Sequence, residues 1–581
     1  MQRDSKFICI AAARDDDDDK HHRQHPQHVE IHDANILRGV GLIIFFALVF
    51  IFLSPTPHND VGMTPPNKVF TNHVIDPRER TRKLPARLQS LIAQSQIVGN
   101  HLEEVKEGKK TVEEIIHSGV NLAGLGDSDA SSGIHGGGIF SSGHIGAGAA
   151  LRNLKSAPMT LNEVLTFLTS FLRRLSSSNI KNKHATYHGI WTAYHDLTVK
   201  WLYPWDQEYL RRMPPRREDG SVYLNVVSFR DEFCMDTLKD AFVKAKHPEN
   251  IFIGLVQQNC DEEKCHSGGE KMEEVKADPD CYLLFCSSEI GKKFCNEGNV
   301  RLLRMKETEA LGPYMARYFA SKLWQGEEWY MQIDSHTTFA QDWDASSIDM
   351  LKNAPSNKPV ISHYPPPHTA NLAEMASVAA PRVCGPVFAA NDLECQIIRF
   401  EGSYNYDSVR LNTPRFAPFV AAGYLMAHSD ILRDVPFDPF LPYLFTGEEI
   451  ILSARLWTSG YDIFSPTHSV VGHRYVRNHR PKFWESIHRV FTSGVHNPLQ
   501  MLILTRIKYQ LGYPESAKDM VKPKSLFTAV EQYSMGSSRK LADYLKIVGL
   551  NMNTKEVTYT AWCETGVPPP GFEKYVHLYE V

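Results

Sequence analysis

The sequence predicts an α/β fold, and three segments near the middle of the chain carry that prediction. Residues 221–231 (SVYLNVVSFRD) are rich in β-forming residues, residues 235–246 have a helical pattern, and residues 251–256 (IFIGLV) form a second apolar run. This order is typical of a βαβ unit. A later apolar run, residues 330–333, ends directly before Asp334, Ser335 and His336. Because open α/β sheets bind their ligands at the carboxyl ends of strands, we expect the functional site there.

The Asp334-Ser335-His336 tripeptide is the strongest candidate for a metal site. Alternate side chains of a strand point to the same face, so Asp334 and His336 can converge on one cation. An acidic residue followed two positions later by Asp or His, after an apolar strand, is how metal-dependent sugar-nucleotide transferases hold a divalent ion. An ordinary turn with polar residues after a strand would have the same sequence pattern. The flanking segments must therefore distinguish a metal site from such a turn.

Further segments fit a site of this kind. Residues 419–427 (FVAAGYLMA) offer an approach of small residues to a sugar, and residues 469–475 (SVVGHRY) deliver another imidazole, His473. Glu448 and Glu449 open a predicted helix over residues 450–458. Acidic residues at a helix start also complement the helix dipole, so these two glutamates have a plain structural alternative.

Seven short segments in order give the chain a resemblance to polypeptide or hydroxyproline α-N-acetylglucosaminyltransferases, which are retaining enzymes of the GT-A fold. The segments are SFRDE at 228–232, GPYMAR at 312–317, QIDSH at 332–336, WD at 343–344, AAG at 421–423, FDP at 437–439 and LFTGEEI…RLWTSGYD across 444–462. The resemblance covers roughly residues 221–479. The chain is also more distantly similar to polypeptide N-acetylgalactosaminyltransferases, which have a similar DSH and a VGH whose histidine binds metal.

The resemblance implies a GT-A type nucleotide-sugar-binding mixed sheet flanked by helices, with UDP-GlcNAc as donor and a polypeptide as acceptor. The more distant likeness implies Asp334, His336 and His473 as metal ligands. Mn²⁺ or another divalent cation suits a shell of carboxylate, imidazole and phosphate groups. The cation would stabilise the departing diphosphate, so front-side transfer needs no strong protein nucleophile. Glu448 and Glu449 would then orient sugar or acceptor hydroxyls.

Several residues are candidates for contacts with the nucleotide. Guanidinium groups pair with phosphate oxygens, although each arginine alone can equally be structural. The candidates are Ser228, Arg230, Asp231, Arg304, Arg317 and Gly423.

The N-terminal region predicts a membrane anchor over residues 37–54. The uncharged apolar run covers residues 39–53. With Ile36 and Leu37 included and the Arg38 side chain snorkelling, it reaches about 18 residues, the lower limit for a spanning helix. Basic residues are more frequent before the run than behind it, which places residues 1–36 in the cytosol and indicates a type II protein. A late signal peptide or a buried helix is the alternative. The short span favours the thinner membranes of the early secretory pathway, so we expect a Golgi protein or one of the endoplasmic reticulum.

The rest of the chain divides into three predicted parts. Residues 55–217 are predicted to form a stem with helical segments and a Gly/Ser-rich linker. A coiled-coil pattern in the helical part of the stem could support homo-oligomers. Residues 218–490 form the catalytic domain, and residues 491–581 a C-terminal extension that could contribute to the acceptor side. With 67 acidic and 63 basic residues the chain lacks the clustered basic face of a nucleic-acid binder.

Five cysteines crowd together after the second predicted strand. They are Cys260, Cys265, Cys281, Cys286 and Cys295. Their spacing is wider than the usual zinc pairs, so disulfides in an oxidising lumen are the favoured interpretation, with zinc as the alternative.

Three alternatives remain open on function. Another donor such as UDP-GalNAc is compatible with the same residues, because pocket walls select the sugar. A catalytically weak lumenal module that binds glycoproteins is a second. The acceptor is a third question, because the hydroxyproline-modifying relatives act in the cytoplasm, whereas a membrane anchor favours a Ser/Thr acceptor.

Overall fold

The computed structural model describes residues 157–571, except 179–185, 268–272, 392–394, 405–406, 478–479, 488–490 and 492. The predicted cytosolic tail, the predicted anchor and the first part of the predicted stem therefore lie outside the described residues. Among the helices that are described, none combines the length and apolar character needed to cross a membrane.

Sixteen strands and fifteen α-helices are described. The strands are β1 Val222–Phe229, β2 Ile251–Asn259, β3 Cys265–His266, β4 Glu274–Val275, β5 Val300–Lys306, β6 Trp329–Asp334, β7 Thr337–Phe339, β8 Pro359–Ser362, β9 Arg382–Phe388, β10 Ile398–Tyr404, β11 Arg415–Phe416, β12 Tyr424–His428, β13 Asp462–Ser465, β14 Val471–His473, β15 Leu550–Asn551 and β16 Glu556–Val557. The helices are α1 Leu161–Ser177, α2 Tyr187–Leu197, α3 Tyr203–Arg211, α4 Cys234–Val243, α5 Cys281–Ser287, α6 Glu289–Asn296, α7 Pro313–Ser321, α8 Trp343–Lys352, α9 Leu372–Met375, α10 Ile431–Asp434, α11 Glu448–Thr458, α12 Phe483–Ile487, α13 Ser493–Gln510, α14 Leu541–Ile547 and α15 Trp562–Thr565.

Eight strands form one large mixed sheet, in the order β11-β13-β8-β12-β6-β1-β2-β5. Strands β5, β2, β1 and β6 run parallel to one another, whereas β12 is antiparallel to both β6 and β8. The predicted α/β class with a mixed sheet flanked by helices is confirmed. The βαβ unit is also present, as β1, α4 and β2.

Strand β1 shows why the sheet is buried on both faces. Its side chains alternate between two hydrophobic clusters, because successive side chains of a strand point to opposite faces. Val222, Leu224 and Val226 belong to the cluster that includes helices α4 and α8. Tyr223 and Val227 belong to the other cluster, which includes helices α7, α11 and α13. A strand between two helical layers reads as a nearly continuous apolar run, as this one does.

The helices before the sheet share its core. Val164 and Leu168 of α1 are buried in the same cluster as α7, and the rings of Phe171 and Phe319 lie 6.4 Å apart. The last part of the predicted stem therefore packs onto the sheet. At the other end of the chain, Trp562 of α15 packs against Phe419 with 5.4 Å between ring centroids.

Four disulfides join described cysteines, which confirms the predicted disulfides. The pairs are Cys234–Cys281, Cys260–Cys265, Cys286–Cys295 and Cys384–Cys563. Two of them join α4 to α5 and α5 to α6, and Cys260–Cys265 joins the end of β2 to β3. All five cysteines of the predicted cluster are therefore bonded to sulfur rather than available to zinc.

Candidate active site

Strand pairing brings the predicted metal ligands to one edge of the sheet. Asp334 is the last residue of β6 and pairs with Val227 of the parallel strand β1. The chain then turns through Ser335 and His336 into β7, which pairs with β14 so that Thr337 lies opposite His473. This short ladder places His473 beside His336, although the two are far apart in sequence.

Asp334, His336 and His473 form a group with the composition of a metal site. One ligand atom from each residue lies within 4.8 Å of the other two. His473 Nε2 is 3.0 Å from Asp334 Oδ2, and the two imidazole rings are 4.7 Å apart. All three side chains are half-buried. One carboxylate oxygen and two imidazole nitrogens suit a divalent transition-metal ion, so the residues present fit the predicted cation.

The charge of Asp334 is secured by its neighbours. Burial pushes the pKa of Asp334 upward, but the hydrogen bond with His473 and the positive charge of Arg317 outweigh burial and hold that pKa well below its usual range. Arg317 Nη2 donates to Asp334 Oδ1 at 2.7 Å. Its environment therefore favours the carboxylate form of Asp334.

Glu448 lies on the other side of Arg317. Gly447 precedes helix α11 with φ +96°, a conformation that favours glycine, and Glu448 is the first residue of the helix. Arg317 Nη1 donates to Glu448 Oε2 at 2.5 Å, while Glu448 Oε1 is buried and has no hydrogen-bond partner among the described residues. Burial raises the pKa of Glu448 to about 7, against the opposing effect of Arg317.

Glu449 holds the backbone of the site. Its Oε1 accepts from the Ala422 amide at 2.8 Å and its Oε2 from the Tyr364 hydroxyl at 2.7 Å. Gly423, which follows Ala422 in the chain, adjoins Asp334: a Cβ at position 423 would lie 3.1 Å from Asp334 Oδ2. Burial raises the pKa of Glu449, whereas the Ala422 and Tyr364 hydrogen bonds lower it.

These groups line a cavity of about 530 Å³ at the carboxyl edge of the sheet. Phe229 and Gln258 lie at the end where β1 and β2 finish, and Phe445, Tyr475 and Trp484 are exposed aromatic residues of its wall. Of the predicted site residues, the cavity wall includes Asp334, His336, His473, Glu448, Glu449, Arg317 and Gly423.

The other predicted nucleotide contacts do not line this cavity. Ser228 is buried in β1, and Arg230 is fully buried with its Nε 2.8 Å from Asp278. Arg304 is half-exposed and forms an ion pair with Asp280. Asp231 lies behind His336, with its Oδ2 2.6 Å from His336 Nδ1.

The cavity wall also includes residues that were not predicted, among them Arg477, Lys482 and Tyr364. Arg477 Nη2 donates to the carbonyls of Phe229 and Arg230, and Lys482 and Tyr364 also face the cavity. The signal for the two cations was the basic run that follows His473 in the sequence. Tyr364 had no signal in the pattern of its own segment.

Comparison with known proteins gives one family match. A family model described as a glycosyltransferase (GlcNAc) matches residues 221–554. No curated protein matches the sequence significantly.

Two solved proteins show weak structural similarity. GalNAc-T7 crystallised with UDP, GalNAc and Mn²⁺ gives a TM-score of 0.33 at 14% identity, over 59% of this chain and 62% of that chain. Residues 1–349 of S. aureus TarS give 0.27 at 11% identity, over 54% of this chain and 83% of that one. TarS in complex with UDP-GlcNAc gives 0.28 at 10% identity, over 54% and 84%. The match spans less than two thirds of the GalNAc-T7 chain, and TM-scores this low support no inference about the site.

Proposed function

Because the chain belongs to the GlcNAc glycosyltransferase family, whose model matches residues 221–554, we propose that it is a retaining UDP-sugar-dependent transferase. It moves α-GlcNAc from UDP-GlcNAc to a Ser, Thr or hydroxyproline hydroxyl of a polypeptide. The observation that carries the proposal is the group Asp334, His336 and His473, gathered within 4.8 Å beside a cavity large enough for a nucleotide sugar.

Asp334, His336 and His473 are the residues that would hold a divalent cation, with Mn²⁺ as the expected ion. When bound, the cation supplies charge neutralisation for the diphosphate that leaves the sugar. Asp334 contributes the negative charge, and the hydrogen bond with His473 and the ion pair with Arg317 hold its pKa low.

Arg477 and Lys482 are the expected partners of the remaining phosphate charge. Both line the cavity, and Arg477 uses Nη2 for two backbone carbonyls, which orients its guanidinium and leaves other N–H groups to donate. Arg317 is engaged by two carboxylates and serves to hold them. Phe229 and Gln258, at the carboxyl ends of β1 and β2, are placed to receive the nucleobase.

Glu448 is the expected sugar-binding carboxyl group. Its Oε1 is buried without a partner among the described residues, and such an atom is costly unless a ligand satisfies it. A donor or acceptor hydroxyl would supply that hydrogen bond. In front-side transfer the bond from the anomeric carbon to the phosphate oxygen breaks and the bond to the acceptor oxygen forms. The acceptor proton passes to the leaving diphosphate, so Glu448 orients groups and does not attack.

The polypeptide acceptor is expected at the aromatic mouth of the cavity. Phe445 and Trp484 form a perpendicular pair with 4.7 Å between centroids, and with Tyr475 they are exposed. Exposed aromatic groups at a cavity mouth give large contact area with little loss of conformational freedom.

The proposed compartment is the Golgi lumen, with the chain anchored as a type II protein by residues 37–54. Four disulfides support an oxidising environment. Association of copies through the stem is part of the same proposal.

The test is a donor and acceptor screen with the purified full-length chain. UDP-GlcNAc and UDP-GalNAc are each offered with peptides that contain Thr, Ser or hydroxyproline, with Mn²⁺ or with a chelator. We expect Mn²⁺-dependent release of UDP from UDP-GlcNAc and transfer to one peptide, both abolished by Asp334→Ala. The control variant Asp236→Ala removes an exposed aspartate of α4 and should retain full turnover.

Each alternative has its own result in this screen. If UDP-GalNAc is turned over in preference to UDP-GlcNAc, the proposed donor sugar is wrong but the proposed reaction class stands. Binding of glycopeptides without any sugar release would favour the binding module. Equal turnover by Asp334→Ala and wild type would refute the metal assignment.

A further inference from the structure

The carboxylate of Asp231 is fully buried behind the metal-ligand group. Its Oδ2 lies 2.6 Å from His336 Nδ1 and accepts from Ser335 Oγ at 2.6 Å, and its Oδ1 accepts from the Phe233 amide at 3.0 Å. Both carboxylate oxygens are therefore engaged, and the group cannot rotate without breaking one of these bonds.

We infer that Asp231 is a positioning residue that fixes the tautomer and the ring orientation of His336 for binding a divalent cation. A carboxylate only accepts hydrogen bonds, so His336 Nδ1 must carry the proton. In a neutral imidazole the lone pair then lies on Nε2. Because Asp231 occupies Nδ1, Nε2 is the ring nitrogen left to bind an ion, and so the ligand atom is prepared before any ion arrives. The inference rests on the proposed function, because it presumes the cation.

The two imidazoles of the group differ in this support. The Nδ1 atom of His473 is buried and has no hydrogen-bond partner within the part of the chain that the structure describes. His473 is placed instead by the β7–β14 ladder and by contact with the Tyr475 ring at 4.4 Å. His336 lies in the turn before β7, and its carbonyl accepts from the Arg474 amide at 3.2 Å, which holds the backbone but not the ring. The orientation of the ring therefore depends on Asp231, and metal affinity should respond to Asp231 more than to nearby acidic residues that are not metal ligands.

A structural role is the competing explanation. Asp231 follows β1 and could merely hold its own loop through the Phe233 amide. Loss of that role would lower the stability of the metal-free protein but leave the dissociation constant for Mn²⁺ unchanged in the molecules that remain folded. The two explanations therefore separate on metal affinity measured without substrate.

The experiment measures the dissociation constant of Mn²⁺ by electron paramagnetic resonance, where the free ion gives the signal and the bound ion loses it. The full-length chain is compared with Asp231→Ala, Asp231→Asn and the control Asp236→Asn. Partners of metal-bound histidines typically contribute a factor of about 10 to 100 in affinity, and we expect Asp231→Ala to weaken binding by that factor. Asp231→Asn keeps the shape but not the charge and should lie in between. Asp236→Asn removes one nearby exposed charge and should match wild type.

The outcomes distinguish this inference from the proposed function. If wild type binds Mn²⁺ and both Asp231 variants bind it equally well, the positioning role is refuted while the metal site stands. If wild type does not bind Mn²⁺, the metal site and the inference both fall. Should Asp231→Ala not fold, Asp231→Asn decides alone, and an unchanged dissociation constant refutes the role.

Discussion

Replacing Arg317 by Met tests the electrostatic arrangement of the site most directly. The guanidinium is buried between two carboxylates, 2.7 Å from Asp334 Oδ1 and 2.5 Å from Glu448 Oε2. Removing one member of a buried ion pair costs about 3–5 kcal/mol, because the remaining charge is left without a partner. Methionine is close in length, so the loss should be electrostatic rather than a cavity effect.

The size of the loss should depend on pH. Burial already raises the pKa of Glu448 from 4.5 to about 7, which corresponds to about 3 kcal/mol. A carboxyl group with a raised folded-state pKa binds more protons when folded, so its effect on stability worsens as the pH rises from 4.5 through the folded value. Without Arg317 that pKa rises further. Arg317→Met should therefore lose more stability at pH 8 than at pH 5.5, where protonated Glu448 needs no partner.

The assay is chemical denaturation followed by circular dichroism at both pH values. Arg304→Met is the matched control, since it removes the same group from a half-exposed pair with Asp280. Exposed pairs contribute about 0–1 kcal/mol, so this variant should lose little at either pH. Equal losses in the two variants, or a loss at Arg317 that does not change with pH, would refute the reasoning.

Three further changes test the cavity wall. Gly423→Ala would place a Cβ 3.1 Å from Asp334 Oδ2, so we expect weaker Mn²⁺ binding in a paramagnetic resonance titration, with an unchanged circular dichroism spectrum. Tyr364→Phe removes the hydroxyl that donates to Glu449 Oε2, which should cost about 1 kcal/mol in denaturation and lower kcat. Arg477→Ala should raise the KM for UDP-GlcNAc in a UDP-release assay, and inhibition by free UDP should weaken in parallel. An unchanged KM would exclude Arg477 from the phosphate site.

The sequence predicted the part of the site that depends on local spacing. Asp334 and His336 are two positions apart at the end of an apolar strand, and that spacing alone places both near the sheet edge. His473 needed the likeness to a known family, because its position comes from the pairing of β14 with β7. No pattern within residues 471–473 shows that pairing.

The arginines show where sequence patterns stop being informative. The sequence made all three predicted arginines equally plausible as phosphate ligands. In the structure each is engaged by carboxylates: Arg230 by Asp278, Arg304 by Asp280, and Arg317 by both Asp334 and Glu448. Each partner lies far along the chain or in another element, so only the folded structure identifies it. The same holds for α1: the sequence predicts helical segments in the stem, but only the structure shows that this one packs on the core of the sheet.

Arg317 also explains how two neighbouring carboxyl groups can differ in chemistry. Both contact the same guanidinium, yet the pKa of Asp334 lies well below its usual range and that of Glu448 is raised to about 7. Asp334 has imidazole hydrogen bonding in addition to Arg317, whereas Glu448 is buried with one oxygen unpartnered among the described residues. Groups whose environments push their pKa values apart commonly divide a reaction between them. Asp334 is therefore suited to a cation, and Glu448, which can hold or release a proton near neutral pH, is suited to sugar hydroxyls.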